Sequence, residues 1–96
     1  MSNFVVYARM LTKRGSNNLN ESARLAKNGE YEAAKQKGLQ GAQDILAVAK
    51  TSSVVAGEEL KGLEVDIKDF AGKAKAMYSE LEKSKIGKQI LKELNI

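Results

Sequence analysis

Between Leu39 and Leu81 one spacing rule holds without interruption. Leu39, Ala42, Leu46, Ala49, Ser53, Ala56, Leu60, Leu63, Ile67, Phe70, Ala74, Met77 and Leu81 follow one another at alternating intervals of three and four, and only Ser53 is polar. A mean spacing near 3.5 keeps a row of side chains on one face of an α-helix, whereas a strand would repeat every two residues. Sustained over this length, the seam is of the coiled-coil kind. It commits the chain to an all-α fold, a small antiparallel helical bundle. The absence of proline and the weight of Ala, Leu, Lys and Glu point the same way. As one helix, residues 39–81 would be about 65 Å long, too long for a compact chain of this size. "TSSVVAG", residues 51–57, gathers Thr, Ser, two β-branched valines and Gly, all weak helix formers. A break there would fold the two halves into a hairpin; a continuous helix is the alternative.

Ninety-six residues enclose one core, so a single helical domain is expected over 1–96. Its parts read as two short N-terminal helices within 1–29, a long helical hairpin over 30–83 and a short C-terminal helix over 84–96. In the first helix, about 4–13, Phe4, Tyr7, Ala8 and Leu11 share a face, with Met10 at its margin. Gly15 then reads as a C′ glycine and "GSNN" as a turn. A second short helix, about 19–27, would turn Leu19, Ala23 and Ala26 inwards, and "NG" at 28–29 would stop it. After Glu30, Tyr31, Ala34, Gly38, Ala42, Ile45 and Ala49 form a small-residue stripe bordered by Gly41. Interior helical glycine costs about 1 kcal/mol relative to Ala, so close approach of a neighbouring helix is the expected compensation. Ser84 is the expected cap of the last helix.

The hairpin around "NGEYEAAKQKGLQGA" resembles known helical modules. Gly29, Tyr31, Ala34 and Gly41 sit where a tetratricopeptide-type repeat has its turn glycine, its tyrosine and its small packing residues. The same G-x-Y-x-x-A signature is similar to the opening of the second helix of MIT domains, and "IKDFAGKAKAMYSEL", residues 67–81, looks like their third helix. The resemblance spans about residues 22–81. It implies a bundle of helical hairpins whose groove accepts a partner helix. The chain departs from the first family in having one repeat rather than a stack, and from the second at "GSNN".

Several chemistries are excluded by residue type. With neither Cys nor His there is no disulfide, no thiolate and none of the commonest general base or metal ligand. The carboxylates Glu58, Glu59, Glu64, Asp66 and Asp69 lie among Lys61 and Lys68, and Glu64–Lys68 is a helix-supporting i,i+4 pair. "GLQGAQ", residues 38–43, lacks the Lys-Ser/Thr of a phosphate loop. No catalytic residue, metal ligand or cofactor is therefore expected. The apolar runs are far short of the ~20 residues that span a bilayer, and "MSNFVVYARML" has no basic leader region. No membrane partner and a cytoplasmic location are the expectation.

Charge is unevenly spread. Residues 1–29 hold five cations against the single acid Glu21, while residues 30–96 hold eleven lysines matched by eleven acids. All three arginines lie in that first third. Two short helices joined by a turn would let Arg9, Lys13, Arg14, Arg24 and Lys27 converge, with Asn17 and Asn18 as neutral donors and free N–H groups at the second helix start. A nucleotide or nucleic acid is the ligand such a cluster would take; an ordinary solvated surface is the alternative. Leu60, Leu63, Ile67 and Phe70 on the seam, with Ile86, Ile90 and Leu94 on the terminal helix, are the candidate contacts for another protein or a second copy of the chain. The first reading of function is a non-enzymatic helical protein-binding module, oligomeric, acting as adaptor or inhibitor. An anion binder or sequesterer is the alternative.

Overall fold

A computed structural model describes the backbone of residues 3–52 and 58–94, and the side chains of residues 4–48 and 61–94. The described residues form four helices: α1 (Asn3–Lys27), α2 (Tyr31–Ser52), α3 (Glu58–Glu82) and α4 (Lys85–Leu94). The all-α expectation holds. The break expected at 51–57 falls largely on residues 53–57, outside the described residues; α2 ends before them and α3 begins after them.

The main correction concerns the first third. In place of two short helices there is one α-helix of 25 residues that runs through "GSNN". Gly, Ser and two Asn cost about 3 kcal/mol in a helix relative to four alanines. Here tertiary packing outweighs that propensity, because α1 is the central helix and both α2 and α3 lie along it. Its inward stripe is Val5, Ala8, Leu11, Thr12, Gly15, Ser16, Leu19, Ser22, Leu25 and Ala26. Small residues fill the middle of that stripe, so the neighbouring helices come close. Extending the helix also corrects the core expected for its first turns. Ala8 and Leu11 are buried, but Phe4 and Tyr7 are 65% and 51% exposed.

α1 ends where the sequence indicates. Gly29 has φ 81°, its N–H donates to the Ala26 carbonyl at 3.0 Å, and Glu30 N–H donates to the Leu25 carbonyl at 2.9 Å. Those two bonds are a Schellman cap. The chain then returns as α2, antiparallel to α1: Ser22 Oγ donates to the Ala34 carbonyl at 2.7 Å, Gly41 meets Leu19, and Arg14 reaches Asp44. α3 runs parallel to α1, with Arg9 against Asp66 and Gly15 against Phe70. Thus α2 and α3 each pack chiefly on α1 and only lightly on each other.

The two overlapping patterns on α2 divide by face. Of the small stripe, Ala34 and Gly38 are buried, with Gly41 at its border, and Tyr31, Ala42 and Ile45 are half-buried. Asp44 and Val48, outside that stripe, complete the buried face, while Leu46 on the seam is 63% exposed. A Cβ at Gly41 would lie 2.7 Å from Leu19 Cδ2, and one at Gly38 would lie 3.1 Å from Leu94 Cδ1. The interior glycines are therefore there for close helix packing, as expected. On α3 the seam is the core face, with Leu63, Phe70, Met77 and Leu81 buried. Ser84 caps α4, its Oγ accepting from Gly87 N–H at 2.8 Å. Ile90, Leu91 and Leu94 then close the lower end of the core with Met77 and Leu81.

Candidate functional site

The seven residues proposed as an anion site all lie on α1, and the unbroken helix determines their geometry. From Arg9 to Lys27 the rise is about 27 Å, so the five cations are strung along the helix and do not converge. The free N–H groups expected near residue 19 do not exist either, because that position is now interior to a helix. Each arginine already holds a carboxylate. Arg9 Nε donates to Asp66 Oδ2 at 2.8 Å, joining α1 to α3. Arg14 grips Asp44 with two bonds, Nε to Oδ2 at 3.2 Å and Nη2 to Oδ1 at 2.6 Å, and Asn18 adds a longer one at 3.4 Å. Asp44 is 4% exposed, so Arg14 and Asn18 satisfy a carboxylate held against the core. The hydrogen bond to Asp44 raises the Arg14 pKa further above its usual value. Arg24 Nε donates to Glu21 Oε2 at 3.0 Å, and this bond lowers the Glu21 pKa below the ordinary carboxylate value. Asn17 is exposed. Lys13 and Lys27 are exposed and carry no ion pair among the described residues.

The proposed contact residues are distributed differently. Leu63, Phe70, Ile90 and Leu94 are packed inside the chain, Ile67 is half-buried against Leu63, and Leu60 lies in α3 with its side chain outside the described residues. Among those whose side chains are described, Ile86 alone stands clear, at 59% exposed.

Two surfaces stand out, and the sequence reading named residues at each, Arg9 and Lys13 at one and Ile86 and Ile90 at the other, without assembling either. The first is the start of α1, where Phe4, Val6, Tyr7 and Met10 are each more than half exposed. Val6 and Met10 are four apart on the side of α1 away from the core, and Arg9 and Lys13 flank them around a shallow depression. The second is a groove of about 600 Å³ between the beginning of α2 and α4. Tyr31, Ile86 and Ile90 give it an apolar lining, and Glu30, Glu32, Lys35 and Glu93 surround that lining. Lys35 pairs with Glu93 across the groove, and the hydrogen bond between them raises the Lys35 pKa above its usual value.

Signals for these features were present in the sequence. Asp44 lies three residues after Gly41 and four before Val48, so it shares their buried face next to the small-residue stripe, and an acid there calls for a partner. Val6 is off the apolar face expected for the first helix and Met10 is at its margin, whether or not α1 is read as unbroken. Among the described residues no three Asp or Glu side chains gather as a metal would require, and no helix is long and apolar enough to cross a membrane. Comparison of the chain with protein-family models, with curated proteins and with solved structures gives no match.

Proposed function

We propose that this chain is a non-enzymatic helical module that works by binding another polypeptide, as an adaptor or an inhibitor. The observation that carries the reading is the apolar start of α1. Four large side chains, Phe4, Val6, Tyr7 and Met10, are more than half exposed within seven residues. Single exposed apolar residues are ordinary on a protein surface, but a cluster flanked by charge marks a contact surface. The residue inventory supports the non-enzymatic part, since a chain without His or Cys lacks the side chains most used for proton transfer and nucleophilic attack. The resemblance to helical-hairpin modules agrees with it.

Binding of a nucleotide or nucleic acid is the weaker reading. Its arginines are occupied by Asp66, Asp44 and Glu21, and an incoming phosphate would have to displace carboxylates already in place. Native mass spectrometry of the chain isolated from its own cells tests both. Added mass of a second polypeptide, whether another protein or another copy, supports the proposal. A bare chain, or a chain carrying only a nucleotide-sized mass, overturns it.

A further inference from the structure

The two surfaces described above are complementary to each other. The exposed face of α1, a helix ridge by its convexity as a whole although shallowly dimpled between these side chains, is apolar at Val6 and Met10, with Lys13 beside them free of any ion pair among the described residues and Arg9 at its edge. The groove between α2 and α4 is apolar at Tyr31, Ile86 and Ile90, and acidic at Glu30 and Glu32, neither of which is in an ion pair among the described residues. A helix presents residues at i, i+4 and i+7 as a single row. Val6, Met10 and Lys13 are such a row, with two apolar side chains followed by a cation. Against the groove it would set apolar on apolar and positive on negative.

One molecule cannot satisfy its own groove. Met10 and Gly29 lie on the same helix and its cap, about 28 Å apart along the axis, and α1 is held rigidly between α2 and α3. We infer that the occupant of the groove is the α1 ridge of a second copy of this chain. This rests on the reading of the chain as a polypeptide-binding module, and it names the partner.

The geometry of such a contact has a consequence. Ridge and groove are different surfaces towards opposite ends of an elongated molecule, whose principal extents are 43 × 18 × 15 Å. Each copy carries both surfaces, so the contact is either reciprocal, ridge to groove twice about a two-fold axis, or heterologous, with the ridge on one neighbour and the groove on another. Heterologous contacts either close into rings or run on as open chains. A dimer in which ridge meets ridge, or groove meets groove, is the arrangement this excludes.

The test is a mixing experiment. Met10→Glu blocks the ridge and leaves the groove; Ile86→Glu blocks the groove and leaves the ridge. Both positions are more than half exposed, and an acid at Ile86 sits in the first turn of α4, where it suits the helix dipole. Sedimentation of the wild-type chain up to about 1 mM, the weak end of specific association, is expected to show mass growing with concentration. Each variant alone is expected to lose self-association by about tenfold or more, the effect of one well-placed contact residue. The two variants mixed are expected to give a one-to-one dimer that grows no further. A second measurement does not depend on the variants folding. Amide resonances of the wild-type chain should shift with concentration at residues 4–13 and, together with them, at 29–35 and 86–93. A wild-type chain that stays monomeric, variants that associate as it does, a mixture that stays monomeric, or shifts at only one of the two surfaces each overturn the proposal. A heterologous protein found by native mass spectrometry alongside a monomeric chain would overturn the second copy as occupant while leaving the polypeptide-binding reading standing.

Discussion

Replacing Gly15 by Ala separates the two ways of reading the first third of the chain. In an exposed helix interior the change stabilises by about 1 kcal/mol, because Ala loses less backbone freedom than Gly. Gly15 is not exposed. A Cβ there would overlap Cε2 of the Phe70 ring and come within 3.0 Å of its Cδ2, with Asp44 Cβ at 3.2 Å on the other side. Phe70 is 7% exposed and held in the core, so the ring has little room to retreat. Overpacking of this kind costs about 1–3 kcal/mol, occasionally more. Set against the gain in propensity, a net loss of up to about 2 kcal/mol is expected, or up to roughly 15 °C in Tm for a domain of this size. Gly72 on α3 is the control, since nothing lies within 4 Å of a Cβ there. Gly72→Ala should gain about 0.5–1 kcal/mol. Thermal unfolding followed by helical circular dichroism reads both. The decisive comparison is a double-mutant cycle with Phe70→Leu, which removes the ring edge that the new methyl meets. The cycle should return a coupling of about 1 kcal/mol or more, because the loss from Gly15→Ala is relieved once the ring is gone. If Gly15 instead ended a short helix as a left-handed C′ residue, Ala would be strained whatever stood at Phe70, and the two changes would add. Additivity, or a Gly15→Ala chain as stabilised as Gly72→Ala, would refute the close three-helix approach at this point.

Two further outcomes follow from polar groups. Ser16 and Ser22 lie on the same buried stripe of α1, but Ser22 Oγ donates to the Ala34 carbonyl while Ser16 Oγ has no partner among the described residues. Ser22→Ala should therefore cost about 1 kcal/mol, and Ser16→Ala should be neutral or stabilising, both read from urea midpoints. Lys35 holds α2 to α4 through Glu93, and its pKa in the folded chain is raised. A raised cation contributes stability that is fully present below its unfolded value of 10.5 and is lost as pH climbs through the folded value. The gap in denaturation midpoint between the wild-type chain and Lys35→Met should stay constant from neutral pH towards 10.5 and close only above it; a gap that closes before then would show that the pair does not act on the fold.

The parts of this fold that were legible in the sequence are those where local chemistry and tertiary packing agree. Gly29 terminates α1 because a left-handed residue is needed there and Gly adopts it without strain. Ser84 begins α4 because its hydroxyl can satisfy a free N–H. The α3 seam is buried because its side chains are large. The illegible part is "GSNN", where propensity and packing oppose one another. The composition that weakens a helix locally is also what allows two other helices to approach it closely, and no single-chain pattern tells the two apart. The candidate anion site depended on that point. Had the helix broken, the cations would have faced one another; because it does not, they are strung along α1, and the three arginines pair one by one with acids on α3, α2 and α1.

The same substitution of small for large residues ties the fold to the proposed contact. α1 buries Thr12, Gly15, Ser16 and Ser22 while leaving Phe4, Val6, Tyr7 and Met10 outside. A fully buried Phe, Val or Met side chain is worth about 1.5–3 kcal/mol relative to an exposed one, so the monomer forgoes much of that at four positions in a chain with a modest core. The bundle does not need those side chains to close, because its central helix works by close approach rather than by bulk. The acidic groove at the opposite end is formed where α4 docks, and its open lip at Ile86 is likewise apolar surface that the bundle leaves uncovered. Association through the two surfaces would recover part of this burial at both ends of each copy. Because the contributing residues lie outside the core stripe, loss of assembly and loss of folding should be separable: Met10→Glu and Ile86→Glu act on the first, Gly15→Ala on the second.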